Sequence, residues 1–65
     1  MKIIVNGTEH DVAAATLAEA LIQLDYGGKT VATALNGCFV PTRARASTPL
    51  SHGDKVEIIA PMQGG

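Results

Sequence analysis

The residues best placed to do chemistry in this 65-residue chain are its last two, Gly64 and Gly65. Without a Cβ, a glycine pair takes any backbone conformation and enters a narrow channel. The carboxylate of Gly65 is unhindered as well. It can attack a phosphorus atom and later be attacked at its own carbonyl carbon. A free carboxylate is inert as an acyl donor, so it needs activation, most simply as an acyl-adenylate made from ATP. The chain carries no glycine-rich phosphate loop, so a separate enzyme would have to supply that step. The plain alternative is an idle chain end, as termini often are.

Other reactive side chains are few. Cys38 is the only cysteine, which excludes an intrachain disulfide. It follows a tight turn and opens a short strand, where a small buried cysteine fits. No lysine, arginine or histidine adjoins it in sequence to favour the thiolate. His10 and His52 stand far apart without ligand spacing around them, so no metal site is expected. His52, in Ser51-His52-Gly53-Asp54, reads as a turn residue. Arg43, Arg45 and Lys55 form either a basic contact patch or an ordinary solvated face.

One small domain, residues 1–60, is expected to position a flexible tail, residues 61–65. A chain this short hides roughly 60% of the surface its unfolded form exposes. With neither disulfide nor metal available, its core has to be hydrophobic, and 46% of the residues are apolar. The formal net charge is −1, and the absence of a basic run or interleaved aromatics argues against nucleic acid. No apolar segment reaches the roughly 18 residues of a membrane span. The run Ile3-Ile4-Val5 is too short for a signal peptide. A lone thiol without an export signal points to the cytosol. A closed ligand pocket of about 300 Å³ or more is hard to build at this size. That favours a binding or carrier protein over an enzyme.

The elements follow from local pattern. Lys2 to Val5 is rich in β-branched residues and reads as a strand. Asn6-Gly7 is a hairpin turn, and Thr8 to Val12 returns, with Ile3, Val5 and Val12 toward the core. Thr16-Leu17-Ala18-Glu19 matches a capping box and opens a helix. Leu17, Leu21 and Leu24, with Ala20 beside them, make its apolar stripe. Ile22 lies off the stripe. Gly27 and Gly28 are expected to end the helix in the left-handed conformation. Val31 to Leu35 reads as a central strand, and Asn36-Gly37 as a second tight turn. Cys38 to Val40 is a short strand closed by Pro41. Thr42 to Leu50 is irregular, with one helical turn around Arg43 to Ala46. Lys55 to Ala60 is the last strand, with Val56 and Ile58 in the core, and Pro61 marks where the sheet lets go. Val31, Leu35, Phe39 and Ile59 are either part of the small core or an exposed docking patch.

The β-β-α-β-β-β order, Asn36-Gly37 followed by Val40-Pro41, Gly53-Asp54 before the last strand, and Gly64-Gly65 together resemble the bacterial sulfur-carrier family of thiamine biosynthesis, the ThiS family. The resemblance covers essentially the whole chain and rests on the spacing of these motifs. It implies an α+β, ubiquitin-like β-grasp fold, a mixed sheet packed on one helix. It also implies a cycle in which an adenylyltransferase of the ubiquitin-activating type adenylates the carboxylate of Gly65. A sulfur donor then displaces AMP to leave a thiocarboxylate, and thiazole synthase takes the sulfur. By this resemblance Gly65 carries the chemistry, Gly64 gives passage, and Met62 and Gln63 line the tail's entry into its partners. The carrier binds no cofactor; ATP is used by the activating partner. The free chain is expected to be a cytoplasmic monomer with no nucleic-acid or membrane partner.

Three other readings stay open at this point. The small sulfur-carrier subunit of molybdopterin synthase also ends in Gly-Gly. A ubiquitin-like modifier would be joined to lysines through Gly65. A plain interaction module would leave the tail idle.

Overall fold

The computed structural model describes residues 1–61. The candidate site residues Met62, Gln63, Gly64 and Gly65 therefore lie outside the described residues. The elements appear in the expected order: β1 (Lys2–Val5), β2 (Thr8–Asp11), α1 (Leu17–Gln23), β3 (Ala32–Leu35), β4 (Cys38–Val40) and β5 (Lys55–Ile59). A 3₁₀ helix, Thr42–Ser47, precedes β5. It is longer than the single turn the sequence suggested.

Two hairpins frame the sheet. Asn6 and Gly7 take φ of 50° and 83°, and Asn36 and Gly37 take 50° and 85°. Positive φ at both central residues is the turn that matches the twist of antiparallel strands. It sets Val5 opposite Thr8 and Leu35 opposite Cys38. The strand order is β2-β1-β5-β3-β4. β5 lies in the middle, parallel to β1 and antiparallel to β3. The result is the mixed sheet on one helix expected from the sequence.

The helix opens as a capping box. The Thr16 hydroxyl accepts from the Glu19 amide, and the Glu19 carboxylate accepts from the Thr16 amide. The same carboxylate oxygen accepts from the Ala15 amide at 2.8 Å. Leu17, Ala20 and Leu21 are buried, and Leu24 packs half-buried against them. The helix does not end at Gly27 or Gly28. Asp25 takes the left-handed position, with φ 68°. The Tyr26 amide donates to the Leu21 carbonyl at 2.8 Å and the Asp25 amide to the Ile22 carbonyl at 3.1 Å. These are the two bonds of a Schellman closure. Gly27 serves a different purpose: a Cβ there would sit 3.3 Å from Ile22 Cγ1, so its bare backbone lets the chain double back over Ile22.

Ile3, Val5, Val12, Val56 and Ile58 of the sheet side meet Leu17, Ala20 and Leu21 in one core. The segment after the 3₁₀ helix closes one flank. Leu17 donates to the Thr48 carbonyl and Leu50 to the Ala15 carbonyl, and Leu50 is itself buried. Among the described residues no helix is long and apolar enough to cross a membrane.

Candidate functional site at the end of β5

β5 is the root of the expected tail. Val56 and Ile58 point into the core, while Lys55, Glu57 and Ile59 face outward. Both neighbours hold the strand, and each neighbouring hairpin adds a side-chain bond. In a continuing ladder, the Asn6 main chain would both donate to β5 and accept from it. Asn6 does donate, to the Val56 carbonyl at 3.0 Å, but the turn then carries its own carbonyl away. Its side-chain amide takes over: Oδ1 accepts from the Ile58 amide at 2.9 Å and Nδ2 donates to the Ile58 carbonyl at 2.9 Å. Asn36 repeats the device at the start of the strand. Its amide donates to the Lys55 carbonyl at 2.7 Å, and its Oδ1 accepts from the Lys55 amide at 3.0 Å. The Asn36 Nδ2 donates to Asp54 at 3.0 Å. Sequence reasoning took both asparagines only as turn residues. The missed signal was that asparagine carries a peptide-like amide which a second glycine would lack.

Beyond Ile59, opposite Ala32, the regular strand stops. Pro61 follows and has no amide to offer a ladder. Thr30, Val31, Ala32, Ile59 and Pro61 enclose an open groove of about 410 Å³ at this point. On the adjoining outer face of the sheet two apolar side chains flank Glu57, which stands opposite Ala34. Phe39 stands opposite Ala34 on the side away from the helix, 70% exposed, and Ile59 is 61% exposed. Half of the expected patch is therefore surface. Val31 is buried and Leu35 half-buried, because they share the inward face with Thr33.

The remaining candidates separate. Arg45 is not part of a free basic face. Its Nε donates to Thr33 Oγ1 at 3.0 Å and its Nη2 to the Val31 carbonyl at 2.6 Å. Arg43 and Lys55 are exposed. Cys38 is exposed, contrary to the buried position expected, because β4 is an edge strand and Cys38 is its first residue. His52 is a turn residue as expected, and its Nδ1 accepts from the Lys2 amide at 3.1 Å, tying that turn to β1. Among the described residues no group of three or more His, Cys, Asp or Glu side chains could hold a metal ion. The arrangement offers a docking face and a firmly seated strand end rather than a pocket lined by acids and bases.

Comparison with known proteins places these features together. The family model described as ThiS matches residues 3–65. A crystal structure of the thiamine biosynthesis protein ThiS from Geobacter metallireducens superposes with a TM-score of 0.82 at 32% identity, covering 100% of both chains. A thiazole synthase from Paramagnetospirillum magneticum is 36% identical over 66 residues. That match covers 100% of this chain and 20% of that protein, so the chain spans about a fifth of its length.

Proposed function

The chain belongs to the ThiS family, and from that premise we propose that it is a sulfur carrier of thiamine biosynthesis whose reactive atom is the Gly65 carboxyl carbon. A ubiquitin-activating-type adenylyltransferase binds the folded body and receives Met62, Gln63 and Gly64 in a channel. The Gly65 carboxylate attacks the α-phosphorus of ATP and pyrophosphate leaves. Sulfide supplied by a sulfur donor then attacks the acyl carbon, AMP leaves with the electron pair of the broken C–O bond, and loss of the S–H proton gives a thiocarboxylate. Thiazole synthase is the acceptor of that sulfur. The chain itself is a co-substrate of these enzymes and is not a catalyst.

The observation that carries the reading is the extent of the family match, residues 3–65, which takes in the sheet, Pro61 and the glycine pair together. Four residues beyond Pro61 span at most about 14 Å when extended, a useful reach into a neighbouring active site. The similarity to a thiazole synthase favours the thiamine branch over molybdopterin synthase. The exposed face around Phe39 and Ile59 supplies the partners with apolar surface to hold.

Intact mass spectrometry tests the proposal. After incubation with ATP, an activating adenylyltransferase and a sulfur source, the expected mass gain is that of one sulfur replacing one oxygen. A variant extended by a bulky residue after Gly65 is expected to show no gain. Cys38→Ser is expected to load as the parent does. Loading at Cys38, or loading of the extended chain, would overturn the assignment.

A further inference from the structure

We infer that Asn6 is a positioning residue for the reaction at Gly65, although it lies in the opposite hairpin; the inference rests on the sulfur-carrier reading. β5 is supported along one edge by β3 as far as Ile59, opposite Ala32. Along its other edge the β1 pairing stops at Val56, opposite Val5. From there to Pro61 the hydrogen bonds on that edge, among the described residues, are the two exchanged between the Asn6 side-chain amide and the Ile58 main chain. Asn6 thus completes the two-sided hold on the strand just before the tail departs.

The consequence is leverage. Held on one edge only, a strand end can tilt about the remaining ladder. A tilt of about 10° at Ile58 displaces Pro61, three residues on, by about 2 Å, and with it the point from which the tail leaves. Misplacement of a reacting group by about 1 Å is enough to cost about a hundredfold in rate. The Asn6 side-chain bonds end on Ile58, whereas Phe39 lies on β4 beyond β3, so docking through Phe39 can be read apart from delivery. Loss of the Asn6 amide should impair delivery and spare docking.

Asn36 supplies the internal control. It makes the equivalent bond to Lys55, at the far end of the same strand. Asn6→Gly and Asn36→Gly both keep a residue that tolerates positive φ in the turn. Each removes one side-chain amide. Steady-state adenylation kinetics with the activating enzyme, and amide hydrogen exchange at Ile58, separate their roles. Asn6→Gly is expected to lower kcat by about tenfold, with KM within about twofold of the parent, and to lose protection at Ile58. Asn36→Gly is expected to lose comparable stability and to keep the parental kcat. Should Asn6→Gly fail to fold, Asn6→Asp keeps the acceptor for the Ile58 amide, removes the donor to its carbonyl, and is expected to lower kcat in the same way. An unchanged kcat in the Asn6 variants, or an equal fall in both Gly variants, would show that Asn6 is only structural. Failure of the parent itself to be adenylated would instead remove the carrier reading, and this inference with it.

Discussion

Thr33 is the one buried polar residue among those described, 2% exposed, and its hydroxyl is fully employed. It donates to the Val40 carbonyl at 2.8 Å and accepts from Arg45 Nε at 3.0 Å. The guanidinium also covers the Val31 carbonyl, where the chain enters β3. Arg45 therefore fastens the 3₁₀ helix to the strand beside β5. Hydrogen bonds involving a charged group contribute about 1.5–3 kcal/mol. Arg45→Met keeps the stem and removes the donors, and is expected to destabilise the fold by about 2 kcal/mol in urea unfolding. Thr33→Val, nearly isosteric, should cost about 1–3 kcal/mol, and the double variant less than the sum. Arg43→Met should change stability by no more than about 0.5 kcal/mol. Sequence could not separate these two arginines. They are two residues apart in an irregular segment with no helical or strand period, and only the fold shows which one meets Thr33.

At the scale of elements, the starts of structure were legible and one stop was not. Thr16 and Glu19 announce the helix because both halves of a capping box are local in sequence. The strands were readable for the same reason: β-branched runs are bounded by Asn-Gly pairs. The helix end was misplaced because glycine was taken as the left-handed residue. Asp25 occupies that position instead, at φ 68°, and its negative charge also sits at the negative end of the helix dipole. Both effects are unfavourable, so Asp25→Gly is expected to stabilise the protein by about 1 kcal/mol. That corresponds to a rise in Tm of about 4–8 °C for a domain of this size. Asp25→Asn isolates the charge and should recover part of the gain. Gly27→Ala tests the other half of the account. Its Cβ would sit 3.3 Å from Ile22 Cγ1, but Ile22 is 66% exposed and free to give by that much, so stability should change by no more than about 0.5 kcal/mol.

For the whole molecule, the sheet divides labour between its two faces. The inner face is closed by α1 and the 3₁₀ helix, and it leaves little apolar surface unused. The outer face keeps Phe39 and Ile59 at 70% and 61% exposure, in a chain with only one Phe, one Tyr and no Trp. Alternation along β3 and β5 made the existence of an outer face readable, but its membership depended on register. Val31 and Leu35 turned inward with Thr33, while Ile59 turned outward against Val56 and Ile58. The proposed tail chemistry rests on residue types alone, whereas the Asn6 bonds to β5 needed the parallel pairing of β1 with β5, a contact between residues some fifty positions apart. On the proposed carrier reading, partners must grip the chain without unfolding it, so the grip should fall on side chains the core does not use. Phe39→Ser combined with Ile59→Ser is accordingly expected to change stability by less than about 1 kcal/mol. The same pair should weaken binding to thiazole synthase by about tenfold or more, as loss of an exposed aromatic anchor commonly does. Calorimetric titration of the folded double variant would measure this, and parental affinity would move the docking face away from Phe39 and Ile59.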